Sequence, residues 1–158
     1  SITLTYVKGA IREALGAKAS VKVFGSQLTG LVTPESDIDC VVFGGAHNAM
    51  FKLTSAMHKR QNKGEVSNVQ RIGAKVPIVK FLHIATGLQV DVCFEQQSGL
   101  DSGAAAKQLM RQMAPAMNGP VMMRRIQVRP LVMVLKAYMC QRRMNETYHG
   151  YVGSFLLQ

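Results

Sequence analysis

The stretch VFGSQLTGLVTPESDIDC, residues 23–40, decides how this chain is read. It places a glycine–serine turn at Gly25 and Ser26, a short helix-compatible segment, and two carboxylates, Asp37 and Asp39, on an apolar run that continues through Val41, Val42 and Phe43. Residues two apart along a strand share a face, so Asp37 and Asp39 project together while Ile38 anchors the strand in a core. Carboxylates held side by side repel each other, and a divalent cation between them removes that penalty. Each feature has a plainer explanation, since glycine–serine turns are common and a lone acidic pair can be solvated. Their combination within one short stretch points to a metal-dependent phosphate-transfer site.

Residues 6–17 carry Val7, Ile11 and Leu15 at helical spacing, followed by a turn and a short strand at 21–24. Gly44 and Gly45 break the chain after the acidic strand, and residues 49–60 read as a helix through Met50, Leu53 and Met57. Residues 65–70 form a weak strand candidate, and 75–82 with 88–95 form two more, joined at Thr86 and Gly87 as a hairpin. In LQVDVCF, Asp91 lies between Val90 and Val92, out of phase with its apolar neighbours. Alone it would be a solvent-facing strand residue; beside the aspartate pair it becomes a third carboxylate. A helix is expected over 102–113, a connection or domain boundary over 114–119, and a helix over 128–143 that buries Leu131, Val132, Leu135 and Tyr138. The final GYVGSFLLQ opens another apolar element with no capping signal, which reads as an element cut short.

The chain has 158 residues and 47% apolar content, room for one modest domain or one domain and part of another. Its 19 Lys and Arg against 9 Asp and Glu give +10, an excess that favours a polyanionic partner, whether nucleic acid, nucleotide or an anionic membrane, and composition alone does not choose among them. The cations concentrate in residues 52–80 and 124–143; a plain solvated face is the alternative. Cys40, Cys93 and Cys140 are odd in number and lack CxxC spacing, which suggests reduced thiols in an intracellular protein. No apolar run reaches the ~18 residues of a membrane helix, and no signal sequence is visible after Ser1, so no membrane partner is expected. His47, His58, His83 and His149 show no metal-cluster spacing.

Nucleotidyl transfer needs charge neutralised on the transferred phosphate, with attacking and leaving oxygens held in line. Two metal ions about 4 Å apart do both. Asp37 and Asp39 would ligate both metals, and Asp91 the one that activates the attacking hydroxyl. Gly25 would let the backbone approach a triphosphate, and Ser26 would add its hydroxyl and amide.

The run GSQLTGLVTPESDID, with VPIVKF, LQVDVCF and PLVMVLKAYMCQRRMNETYHGYVGSF, closely resembles the DNA polymerase beta nucleotidyltransferase superfamily, specifically its noncanonical poly(A) polymerases and terminal uridylyltransferases. The resemblance implies an α+β fold, a nucleotidyltransferase palm of mixed sheet and flanking helices over 20–113, plus part of a helical central domain from 1–19 and 119–158, truncated at its C-terminus. It makes Asp37, Asp39 and Asp91 the catalytic, metal-binding triad and Gly25 and Ser26 the triphosphate turn. Lys136 matches a lysine that contacts the triphosphate. Ser154 and Phe155 match a small polar residue that meets phosphate and an aromatic that stacks on the base, although Phe155 also suits a core. Thr29, Gly30 and Ser36 belong to the motif and shape its loop.

Departures from the family pattern are specific. Ser98 stands where relatives usually have asparagine, and Cys140 stands where many uridylyltransferases have a second lysine. The second departure leans toward adenylate. The resemblance thus implies addition of adenylates from ATP to RNA 3′ ends with two Mg²⁺ or Mn²⁺ ions; terminal uridylyl transfer from UTP is the alternative. It points to the nucleus, with mitochondrial or cytoplasmic alternatives, and to an RNA-binding or helicase partner protein. Two other classes are a noncatalytic RNA-binding scaffold of the same fold and transfer to a small molecule.

Overall fold

The structure, a computed structural model, describes residues 2–34, 36–73, 76–112 and 128–142. In chain order it contains α1 (Ile2–Leu15), β1 (Ser20–Val23), α2 (Gly25–Thr29), β2 (Ile38–Phe43), α3 (Ala49–Asn62), β3 (Val66–Ile72), β4 (Ile78–His83), β5 (Leu88–Phe94), α4 (Ser98–Gln112) and α5 (Val128–Gln141). The strands form one sheet in the order β1-β2-β5-β4-β3. Only β2 and β5 run parallel; the other neighbours are antiparallel, so the sheet is mixed as expected. Parallel neighbours cannot be joined by a hairpin, and α3, β3 and β4 supply the crossover between them.

Alternation along the strands divides the sheet into two chemically different faces. Ile38, Cys40 and Val42 of β2, Val79 and Phe81 of β4, and Val90 and Val92 of β5 form one buried cluster with Val7, Ala10 and Ile11 of α1 and Leu53 and Met57 of α3. The i, i+3, i+4 spacing of the α1 residues gives that helix its apolar stripe. The helix that the resemblance assigns to a central domain thus contributes to the core beneath the sheet. Asp39, Lys80 and Asp91 alternate onto the opposite face. Cys40 and Cys93 are buried free thiols, and Cys140 is a half-buried one. No described helix is long and apolar enough to cross a membrane.

Several expectations shift. Asp37 immediately precedes β2 rather than lying within it. The helix expected at 102 begins at Ser98, where Gln97 closes the first turn: its carbonyl accepts from the amides of Leu100 and Asp101, and its Nε2 donates to Asp101 Oδ1 at 2.9 Å. The expectation for α5 is corrected: Val132 is buried, but Leu131, Leu135 and Tyr138 are 49%, 39% and 51% exposed. The inward face of α5 is set by Val132 and Lys136, one turn apart, so the neighbouring apolar positions fall outside the contact. The connection expected at 114–119, the apolar segment at 150–158, and Ser154 and Phe155 lie outside the described residues.

Candidate active site

The turn between β1 and β2 places the first carboxylates. Phe24 is extended and its amide donates to the Asp39 carbonyl at 3.1 Å, which ties the start of α2 to β2. Gly25 follows at φ +59°, and a Cβ there would lie closer than 3.0 Å to Asp39 Oδ2 and 3.2 Å from Asp39 Cγ. Glycine is therefore required twice, by the left-handed backbone and by the carboxylate that fills the space of its missing side chain. Ser26 is buried in the first turn of α2. Its carbonyl accepts from the amides of Gly30 at 2.9 Å and Leu31 at 3.1 Å, and Thr29 Oγ1 donates to the Gly25 and Ser26 carbonyls at 3.3 Å. Ser36 Oγ accepts from the Thr33 amide at 2.8 Å. Thr29, Gly30 and Ser36 thus hold the loop that delivers Asp37.

The third carboxylate arrives through sheet register. Parallel pairing of β2 with β5 sets Asp39 beside Asp91, and antiparallel pairing of β4 with β5 sets Lys80 beside Asp91. Lys80 Nζ lies 3.0 Å from Asp91 Oδ2, while Asp91 Oδ1 is buried with no hydrogen-bond partner among the described residues. Burial, reinforced by the charges of Asp91 and Asp37, pushes the Asp39 carboxyl up to about 7. Burial and the Asp91 charge also raise Asp37. Burial raises Asp91, with Lys80 pulling the other way through a hydrogen bond and its charge. The cluster carries more negative charge than its setting accommodates.

Lys136 comes from α5, more than a hundred residues along the chain. It is 8% exposed, and its Nζ donates to the Leu31 carbonyl at 2.8 Å, in the loop that leads to Asp37. Burial lowers its pKa, and the charge of Asp39 opposes that shift. A cavity of about 300 Å³ opens beside the carboxylates, lined by Phe24, Asp39, Ile78, Asp91, Ser98 and Gly99. Ser98 therefore lines the cavity beside the carboxylates.

Five of the residues singled out from sequence, Gly25, Asp37, Asp39, Asp91 and Lys136, are linked here by contact or charge, and Ser26 sits in the turn beside them. Lys80 escaped sequence reasoning, although a lysine inside the apolar run of VPIVKF, on the strand partnered with LQVDVCF, was a usable signal. Among the described residues no three His, Cys, Asp or Glu side chains already converge as a metal cluster. The donor set nevertheless fits a hard divalent cation: carboxylate oxygens, an orphaned buried Oδ1 on Asp91, and excess negative charge that a cation would offset.

Comparison with known proteins places this arrangement. Residues 3–128 match the family model described as poly(A) RNA polymerase, mitochondrial-like, central palm domain. The chain is 34% identical over 158 residues to Poly(A) RNA polymerase protein 2 of Saccharomyces cerevisiae (strain ATCC 204508 / S288c), covering 97% of the chain and 24% of that protein. It therefore spans about a quarter of the length of that curated relative. Among solved structures, the polymerase core of TRAMP, an RNA surveillance complex, superposes with a TM-score of 0.76 at 28% identity, over 99% of this chain and 45% of that one. The Cid1 poly(U) polymerase superposes with a TM-score of 0.74 at 16% identity, over 98% and 44%, a likeness of fold alone.

Proposed function

The chain belongs to the family of the mitochondrial-like poly(A) RNA polymerase central palm domain, and from that premise we propose that it is the catalytic palm of a template-independent polymerase that adds adenylates from ATP to RNA 3′ ends. The observation that carries the proposal is the alignment of Asp39 with Asp91 across the parallel β2–β5 pair, beside a glycine whose missing side chain leaves room for the carboxylate. Such an arrangement strains the fold for no structural return, and it suits a site that meets cationic and phosphate partners.

In this reading Asp37, Asp39 and Asp91 hold two magnesium or manganese ions. When bound, the ions neutralise the triphosphate and favour ionisation of the attacking hydroxyl. The 3′ oxygen of RNA would attack the α-phosphorus in line as its proton passes to solvent, a new P–O bond forming while the bond from the α-phosphorus to the oxygen bridging to the β-phosphate breaks and pyrophosphate leaves. Gly25 and Ser26 present the turn to the triphosphate, with the Ser26 hydroxyl as a donor. Lys136 neutralises part of the triphosphate charge from α5, and its bond to Leu31 sets its position beside the acidic loop. Lys80 compensates Asp91 until the ions arrive. By the family resemblance, Ser154 would meet phosphate and Phe155 would stack on the base.

Two observations support ATP over UTP: the name and 34% identity of the S. cerevisiae poly(A) RNA polymerase, and Cys140 at the position of a second uridylyltransferase lysine. The likeness to the polymerase core of TRAMP, an RNA surveillance complex, supports action on RNA within an assembly of proteins; a nuclear setting and an RNA-binding or helicase partner are proposed on the family resemblance. The test is extension of a labelled single-stranded RNA by the protein with magnesium or manganese, offering ATP, UTP, CTP and GTP separately, beside Asp37→Ala. Tails with ATP that vanish in the variant are expected. Tails made with UTP instead would move the protein to the uridylyltransferases, and RNA binding without extension by any nucleotide would support a noncatalytic scaffold.

A further inference from the structure

On the sheet face opposite the carboxylates, α1 and α3 lie side by side and leave between them a groove of about 530 Å³. Ala10 and Ala14 of α1 and Ala56 of α3 are too small to fill it. Its charge is one-sided. The groove's single acid, Glu13, is ion-paired with Arg60, which also binds Glu65 at 2.7 Å and covers the Tyr6 ring, so these charges are spent within the fold. Lys52, Lys59 and Lys63 also line the groove and make no salt bridge among the described residues. At 1.5 Å of rise per residue, they form a basic track about 16 Å long.

One end of the track carries an aromatic platform. Phe51 is 57% exposed, and the Arg71 guanidinium from β3 lies 4.5 Å from its ring centroid. A track of cations beside an exposed aromatic, itself stacked with arginine, is the chemistry of single-stranded nucleic-acid binding: lysines follow the phosphates and the ring receives a base. An acidic peptide would use the lysines but would leave the Phe51–Arg71 stack without a purpose.

We propose that the α1–α3 groove is a second, noncatalytic site for single-stranded RNA, with Lys52, Lys59 and Lys63 on its phosphates and Phe51 under a base. The choice of RNA as the strand rests on the proposed reaction; the groove's geometry does not. Because the sheet separates this site from the carboxylates, RNA held there remains tethered while its 3′ end is released and recaptured. Such tethering raises the effective concentration of the end without a new contact at the reaction centre.

The direct test is anisotropy of a labelled oligoadenylate of about 20 nucleotides, long enough to leave a binding track occupied, with chelator present and no nucleotide, across a salt series. Wild type is compared with the triple variant K52Q/K59Q/K63Q and with Phe51→Ala; all four side chains are exposed, and unchanged urea midpoints verify folding. The triple variant should bind at least about tenfold more weakly, and the slope of log affinity against log salt should shrink by about 2, as three lost phosphate contacts require. Phe51→Ala should lose about tenfold with its slope unchanged, the signature of stacking. Turnover of a primer of about four nucleotides, too short to occupy both sites, should be unaffected in both variants, while KM rises for the long RNA. Unchanged affinity and slope in the triple variant would overturn the proposal. Tighter binding of an oligoglutamate than of RNA, lost in the triple variant, would also overturn it and assign the groove to an acidic protein segment. If wild type fails to extend RNA yet the variants still weaken binding, the groove stands and the proposed reaction falls; active extension with unaltered binding gives the reverse.

Discussion

Replacing Gly25 with alanine adds a carbon closer than 3.0 Å to Asp39 Oδ2, on a backbone at φ +59°. Two costs follow, and they are separable. The left-handed backbone costs a non-glycine residue about 1–2 kcal/mol wherever it occurs. The steric conflict is local to the site: ordinary contact begins near 3.4 Å, so the Asp39 carboxylate must withdraw. A displacement of about 1 Å in a catalytic group costs on the order of 100-fold in rate, equivalent to about 2.7 kcal/mol of transition-state stabilisation. Gly87→Ala isolates the first cost, because Gly87 has φ +68° and open space where its Cβ would go. Both variants should therefore lose similar stability in urea unfolding, while only Gly25→Ala loses RNA extension at saturating ATP by about two orders of magnitude. A Gly25→Ala enzyme within about threefold of wild type, or a Gly87→Ala enzyme equally impaired, would refute the claim that Asp39 occupies the space vacated at Gly25 for a catalytic purpose.

The Lys80–Asp91 pair and the Asp39 carboxyl yield two further expectations. Lys80→Ala leaves Asp91 without its 3.0 Å partner beside two other carboxylates, so the metal-free protein should lose about 1–3 kcal/mol, and magnesium or manganese should recover most of that loss; a urea midpoint deficit indifferent to the ions would refute a shared electrostatic role. Asp39 has a native pKa raised to about 7 from 3.8, so between those values the native state holds a proton that the unfolded chain has released, and metal-free stability falls as pH rises through the window. Asp39→Asn removes that proton linkage, so with chelator present its stability advantage over wild type should grow from pH 4 to pH 7 and then level off; a difference constant with pH would show that Asp39 is not desolvated.

The sequence alone carried most of the features whose physical origin is local, the start of α4 at Gln97 and Ser98 being an exception. Helical spacing of Val7 and Ile11, the glycine break after Phe43, the hairpin at Thr86 and Gly87, and the glycine–serine turn before the acidic strand are set by dihedral preferences and side-chain period within a few residues. Asp91 was legible because a charge out of phase with two valines must face away from their core. Tertiary structure decided what depends on partners distant in the chain. Pairing of β2 with β5 puts Asp39 beside Asp91, and nothing within either strand dictates a parallel neighbour rather than an antiparallel one. Lys80 acquires its meaning only from the register of β4 on β5. On α5, the apolar pattern alone favoured burial of Leu131, Leu135 and Tyr138, whereas the inward face is the one that carries Lys136 to the Leu31 carbonyl. Periodicity shows that a helix has an apolar side; which side is covered depends on the surface it meets, and that surface was assembled from residues about a hundred positions away.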